Sequence, residues 1–246
     1  MENKNKVALI TGANKGIGAA IAKKFASENY DIIIDYKEED ELAIQVKENL
    51  EKEYNVKILT IKSDISIEKE VKKMVDMIIK EFGTIDVLVN NAGIAIDKEF
   101  SERTLEDFEE TFKTNVFGTF LVSKYVSEIM LKNKKGKIIN ISSTNGIDTL
   151  YPTSIDYDAS KAAVISLTKN MAIEFAPYIN VNSVAPGWVD TDMNKELPKD
   201  FLEEEKEKIL LKRFAALEEV AGTVYFLTTK EAGYITGETI RVDGGM

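Results

Sequence analysis

A doubly wound α/β fold, with one parallel sheet of about seven strands covered by helices on both faces, is predicted by two features of the chain. Short runs rich in Val and Ile alternate with longer amphipathic or charged stretches, and this alternation continues from end to end. The runs are also nearly unbroken in apolar residues. Strands of that kind are buried on both faces, as in a parallel sheet between helical layers. They fall at Val7–Ile10, Ile32–Asp35, Val56–Ile61, Ile85–Val89, Lys137–Ile141, Ile179–Val184 and Thr239–Val242. Between them lie helix-like stretches at Gly16–Asn29, Glu38–Tyr54, Ile67–Phe82, Thr104–Asn133, Asp156–Ala176 and Leu217–Thr229. No linker, repeat or low-complexity segment divides the 246 residues, so a single three-layer domain over 1–246 is the simplest organisation. In such a fold ligands sit beyond the carboxyl ends of the strands, where strand order reverses. The segments that follow each strand are therefore the places to look for function.

Composition narrows the chemistry. With 42 acidic and 32 basic residues the net charge is −10, which disfavours nucleic acid and anionic lipid as partners. No apolar run approaches the roughly 18–20 residues of a membrane span, and Met1–Lys6 has no apolar core behind its charges, so a cytoplasmic protein is expected. The chain has no Cys and no His. Thiolate nucleophiles, sulfur-ligated metals and the commonest general base are excluded together, and no metal site is expected. Acid–base work near neutrality is left to Tyr, Lys, Asp or Glu.

After the first strand comes Thr11-Gly12-Ala13-Asn14-Lys15-Gly16-Ile17-Gly18, opening a helix-like stretch. A tight loop would account for the glycines alone. Their place between a strand and a helix also suits close approach of a pyrophosphate to free helix N–H groups. Further on, Tyr157 and Lys161 stand four residues apart, on one face of a helix. A free Tyr has a pKa of about 10, and bringing it near neutrality takes about 4 kcal/mol of preferential stabilisation of the phenolate. The Lys161 ammonium with a cationic ring nearby is a source of that.

These residues resemble the short-chain dehydrogenase/reductase family, whose cofactor turn reads T-G-x-x-x-G-x-G. The family's other signatures follow in order: Asp64 with Ile65 after the third strand, Asn90-Asn91-Ala92-Gly93 after the fourth, and Asn115 within the long helical stretch. Ser142-Ser143, Tyr157-Asp158-Ala159-Ser160-Lys161, and Pro186-Gly187 with Val189 and Thr191 complete the set. The resemblance implies a Rossmann-type nicotinamide enzyme. Tyr157 would be the proton donor, Ser143 the carbonyl-orienting hydroxyl, Lys161 the ribose ligand and tuner of Tyr157, and Asn115 the support of a proton relay. Ser142 stays an alternative to Ser143, because the separation from Tyr157 is one residue longer than the family pattern. The cofactor would contact Gly12, Asn14, Lys15, Gly16, Ile17, Gly18, Tyr36, Lys37, Asp64, Ile65, Asn91, Ala92, Gly93, Tyr157, Lys161, Pro186, Gly187, Val189 and Thr191.

Asp35 ends the second strand and looks like an acid that would favour NAD(H) by repelling a 2′-phosphate. The family alignment instead places Tyr36 at the discriminating position, and Lys15 and Lys37 fall where NADP-using members carry basic residues. NADP(H) is preferred, with NAD(H) the alternative. Within the family the chain resembles 3-oxoacyl-[acyl-carrier-protein] reductases, through Val184–Gly187, Thr191-Asp192-Met193 and the ending Tyr234–Met246. That implies a fatty-acid-biosynthetic 3-oxoacyl thioester as substrate, an acyl carrier protein as partner, and a homotetramer. One departure stands against the carrier protein. Lys132, Lys134 and Lys135 offer a first basic docking position, but Ala176-Pro177-Tyr178 occupies the second. An alcohol or sugar dehydrogenase acting on a free small carbonyl compound is the alternative, and a non-catalytic dinucleotide-binding protein the second. The segment at about 188–213 is expected to form the substrate lid. Its Glu203–Glu207 cluster reads most simply as a solvated helix face, and Phe112, Val116, Phe120, Ile165, Leu167 and Met171 divide between core and subunit interface.

Overall fold

Residues 5–191 and 197–246 are described by a computed structural model. Seven parallel strands form one sheet: β1 (Lys6–Ile10), β2 (Tyr30–Tyr36), β3 (Ile58–Lys62), β4 (Val87–Asn90), β5 (Gly136–Ile141), β6 (Ile179–Pro186) and β7 (Thr239–Val242). Their spatial order is β3-β2-β1-β4-β5-β6-β7, so the direction of winding reverses between β1 and β4. The strands end within two residues of the predicted runs at β5 and β7, while β3 begins later than the Val56 expected for it. The reason is local: the Lys57 N–H is taken by the Asp31 carboxylate at 2.9 Å instead of entering a ladder.

The period-2 geometry of each strand splits its side chains between two cores. Ala8 and Ile10 of β1 face α1 (Gly16–Ser27), α2 (Asp40–Glu53) and α8 (Leu217–Phe226), through Ile21, Phe25, Ala43, Leu50 and Val224. Val7 and Leu9 face α3 (Glu68–Phe82), α5 (Thr119–Lys132) and α6 (Ile155–Glu174), through Met74, Ile78, Val122, Val126 and Met171. The result is three layers, as the unbroken apolar runs imply. No helix among the described residues is long and apolar enough to cross a membrane.

The long stretch Thr104–Asn133 is not one helix. It divides into α4 (Leu105–Phe112), a wide turn at Lys113–Gly118 and α5. Thr104 caps α4 in a reciprocal pair with Asp107, its hydroxyl accepting the Asp107 N–H at 3.3 Å. Asn115 accounts for the wide turn. Its amide accepts the Ile94 N–H at 2.8 Å and donates to the Ile94 carbonyl at 2.9 Å, which draws the helix toward the segment after β4. The region expected to be a lid contains a further helix, α7 (Lys199–Lys208), that the strand–helix alternation does not announce. Residues 192–196 of that region, with Asp192 and Met193, lie outside the described residues.

Candidate active site

The reversal of strand order brings the turn after β1 against the turn after β4. The Thr11 hydroxyl accepts the N–H groups of Asn91 and Ala92, each at 3.0 Å, while the Asn91 amide donates to the carbonyls of Thr11 and Gly12. Two of the three glycines answer to different demands. A Cβ on Gly18 would lie 2.3 Å from the Gly12 carbonyl oxygen and 2.6 Å from the Asn91 amide nitrogen, so Gly18 is required by the protein's own packing. A Cβ on Gly16 would meet nothing within 4 Å. Gly16 has φ +53°, and no side chain caps the helix it begins. It leaves open space in front of free N–H groups at the start of α1, which is a setting for a phosphate. Lys15 and Ile17 flank it; Asn14 is nearly buried, its amide donating to the Glu38 carbonyl at 3.0 Å.

At the end of β2 the structure separates the residues that sequence had set side by side. Asp35 is turned inward beneath the glycine turn, 1% exposed, and its carboxylate accepts from the Ser63 hydroxyl and the Gly12 N–H. Burial pushes its pKa up to about 7. The strand-end acid is thus a support of the turn, in keeping with the choice of Tyr36 over Asp35 for the discriminating position. Tyr36 is also nearly buried. Lys37 pairs with Asp64 at 2.9 Å and Lys15 with Glu39 at 2.6 Å, both lysines standing largely in solvent. Asp64 also accepts from the Ser66 N–H and hydroxyl, and Ile65 is buried beside Gly118.

The catalytic candidates converge beyond the carboxyl ends of β4, β5 and β6. Lys161 is 5% exposed, donates to the Ile141 carbonyl at 2.9 Å, and lies 5.4 Å from the Tyr157 ring centroid. Burial lowers its pKa to about 8. Burial likewise raises the Tyr157 phenol, only partly opposed by a hydrogen bond with Ser143. Among these groups burial keeps the phenol protonated; the draw toward the phenolate is expected from Lys161 together with a cationic nicotinamide ring. Asn115 joins the cluster by donating to the Ser160 hydroxyl at 2.9 Å. Both side chains pack closely on Gly93, where a Cβ would come within 3.3 Å of the Lys161 ammonium and 3.2 Å of the Asn115 carbonyl oxygen.

The two serines part company. Ser142 is tied between strands, 2.6 Å from the Ser183 hydroxyl and donating to the Val184 carbonyl. Ser143 instead lines a cleft of about 270 Å³, together with Tyr157, Gly187 and Trp188. Its hydroxyl accepts the Asn145 N–H at 3.2 Å. Pro186 is buried at the end of β6, Gly187 donates to the Val242 carbonyl, Val189 bridges to Ala215, and Thr191 closes the described part of that segment half-buried.

Several supporting residues were not anticipated. The Asp158 carboxylate, next to Tyr157, accepts from the Asn145 amide at 2.7 Å, the Ser154 hydroxyl at 3.1 Å and the Tyr151 N–H at 3.2 Å. It pins the loop that follows β5 to the first turn of α6. An acid in a first helical turn was the available signal. Asp156 pairs with Arg103 at 2.9 Å with both side chains out of solvent, and accepts from Thr111. The Glu203–Glu207 cluster is not uniformly solvated either, because Glu205 is 1% exposed.

A glycine turn between strand and helix, a buried Lys beside a phenol, and a serine hydrogen-bonded to that phenol in the lining of a cleft define an α/β oxidoreductase of the dinucleotide-binding class. Comparison with known proteins agrees. A family profile described as "Enoyl-(Acyl carrier protein) reductase" matches residues 12–246. A 3-oxoacyl-[acyl-carrier-protein] reductase of Aquifex aeolicus is 43% identical over 98% of this chain and 97% of its own length. The reductase of that name from Staphylococcus epidermidis is 40% identical over 98% and 99%, and glucose 1-dehydrogenase 2 of Bacillus subtilis 36% over 98% and 94%. The solved short-chain dehydrogenase/reductase of Serratia marcescens superposes with a TM-score of 0.93 at 36% identity, covering 98% of both chains. The chain belongs to the short-chain dehydrogenase/reductase family, whose enzymes use a nicotinamide dinucleotide.

Proposed function

We propose that this protein uses NADP(H) to reduce the carbonyl of a 3-oxoacyl thioester, carried on an acyl carrier protein or coenzyme A, to the 3-hydroxyacyl form. The observation that carries the reading is the meeting of Ser143 and Tyr157 in the lining of the cleft, with the Lys161 ammonium 5.4 Å from the Tyr157 ring. The full-length similarity to reductases of that name, at about 40% identity, supports the substrate class.

When bound, the nicotinamide supplies the hydride. Ser143 donates a hydrogen bond to the substrate carbonyl oxygen and draws charge onto it. Tyr157, kept protonated by its burial, gives its phenolic proton to that oxygen. Lys161 holds the ribose hydroxyls, and Asn115 steadies the relay that returns a proton to Tyr157. Gly12, Asn14, Lys15, Gly16, Ile17 and Gly18 hold the pyrophosphate and adenosine side, Asp64 and Ile65 the adenine. Asn91, Ala92, Gly93, Pro186, Gly187, Val189 and Thr191 frame the rest.

Preference for NADP(H) is supported at the ribose end. The one strand-end carboxylate is buried under the turn, and Lys15 and Lys37 stand exposed. The Lys15–Glu39 pair faces solvent and contributes about 0–1 kcal/mol, so a 2′-phosphate exchanges readily for Glu39, and the exposed Lys37 ammonium stands beside it. The whole chain acts as one catalytic domain with a lid at about 188–213, assembles as a homotetramer, and works in the cytoplasm. A second reading, reduction of a free small ketone or oxidation of a sugar, is favoured by the similarity to a glucose dehydrogenase and by the acidic surface.

Turnover of acetoacetyl thioesters against a panel of free ketones and sugars, with NADPH and NADH in parallel, tests the proposal. Thioester reduction should dominate and should vanish in Tyr157→Phe while NADPH binding persists. Retained turnover in that variant overturns the mechanism, and a preference for free ketones or sugars overturns the substrate.

A further inference from the structure

One carboxylate near the cleft has no part in the reaction just described. Glu205 lies in α7 among glutamates and lysines that mostly stand in solvent, yet it is 1% exposed. One of its oxygens accepts the Tyr151 hydroxyl at 2.6 Å and the Trp188 indole N–H at 3.1 Å; the other accepts the Lys208 ammonium at 2.5 Å. The indole N–H also reaches the Tyr151 oxygen at 3.0 Å, which closes a ring of polar contacts among the three side chains. Burial alone would raise the Glu205 carboxyl, but these donors outweigh it and hold it below the ordinary glutamate value. A charge is kept out of water here because three donors surround it.

The two aromatic side chains that Glu205 holds are walls of the cleft. Tyr151 and Trp188 both line it, as do Phe201 of α7 and Leu197 just before that helix. Trp188 stacks on Phe214 at 5.4 Å between ring centres and meets Phe201 and Tyr151 edge-on at 5.8 and 6.2 Å. The wall is also anchored on the catalytic side, because the Tyr151 N–H donates to Asp158, the neighbour of Tyr157. The cleft, of about 270 Å³ and open to solvent on one side, is just under the roughly 300–1,000 Å³ of pockets that take drug-sized ligands.

We infer that Glu205 is a specificity-determining positioning residue, clasping Tyr151 and Trp188 so that one wall of the cleft is a fixed pair of aromatic rings and the enzyme is matched to carbonyl substrates with a short chain. This deepens the substrate reading above and rests on it. Glu205 touches neither the reacting carbonyl nor the catalytic groups; it acts through the two rings. With the clasp released, the indole and phenol are free to turn aside and a longer chain enters.

Trp188 is the one tryptophan of the chain, so its emission reports the clasp directly. The experiment compares wild type with Glu205→Ala, Tyr151→Phe and Glu205→Gln. Steady-state emission and acrylamide quenching are measured first, then kinetics on a homologous series from acetoacetyl to 3-oxododecanoyl thioesters. In Glu205→Ala the emission should shift to the red and quenching increase. The preference for short over long chains should fall by about ten-fold, through the KM of the long substrates with kcat nearly constant. Tyr151→Phe, which keeps the ring and its packing, should move the same way by less. Glu205→Gln keeps a carbonyl oxygen for the two donors and should restore both properties toward wild type. Unchanged emission in Glu205→Ala overturns the clasp, and shifted emission with an unchanged chain-length preference overturns its role in specificity. If wild type reduces no thioester, the substrate reading fails on its own; the emission arm still decides the clasp, and free methyl ketones of increasing length decide the specificity.

Discussion

Substituting Gly16 by Ala separates a glycine kept for a ligand from one kept for the fold. At Gly16 an added Cβ has no neighbour within 4 Å, so the protein itself offers no clash. What remains is the backbone, whose φ of +53° costs an L-residue roughly 1–2 kcal/mol. The added methyl, however, occupies the open space before the first N–H groups of α1. A hydrogen bond to a charged group contributes about 1.5–3 kcal/mol, so displacing the pyrophosphate from one of them weakens binding by about 10- to 150-fold. Gly18 provides the contrast. Its Cβ would sit 2.3 Å from the Gly12 oxygen, and the backbone must move to admit it. Urea unfolding and NADPH titration by nicotinamide fluorescence, run on both variants, read the two effects. Gly16→Ala should stay folded and lose affinity, while Gly18→Ala should lose the greater part of its stability. If Gly16→Ala binds NADPH within about two-fold of wild type, the glycine serves the turn alone and the pyrophosphate does not approach there.

Two further predictions concern buried charge. Asp35 has a folded-state pKa of about 7 against about 3.9 in an unfolded chain, so the folded state holds its proton more tightly. Its contribution to stability is complete below pH about 4 and is lost as pH rises through about 7. Asp35→Asn should therefore gain on wild type by about 2–3 kcal/mol between pH 5 and pH 8 in urea unfolding, and a constant difference would refute it. Arg103→Met should destabilise by about 3–5 kcal/mol, because it strands the Asp156 carboxylate, which is fully out of solvent. Adding Asp156→Asn should recover part of that loss in the same measurement, and an additive loss would show that the charges are not coupled.

The sequence by itself determined whatever depends on neighbours along the chain. Unbroken Val and Ile runs specify strands buried on both sides, and these became β1 to β7 between two helical layers. The spacing of Gly12, Gly16 and Gly18, and that of Tyr157 and Lys161, are local geometries and survive into the structure as written. The tertiary structure decided whatever depends on which way a side chain turns once distant segments meet. Alignment could prefer Tyr36 to Asp35 as the strand-end candidate, but only the sheet decided that Asp35 turns inward to accept from the Gly12 N–H and the Ser63 hydroxyl. Ser142 and Ser143 are told apart by the strand beside them, since only Ser142 has Ser183 to bond. Glu205 is indistinguishable in sequence from the solvated Glu203 and Glu207; its partner Tyr151 is 54 residues away. A carboxylate's environment is set by donors brought from elsewhere in the fold, and nothing in the residues on either side of it records them.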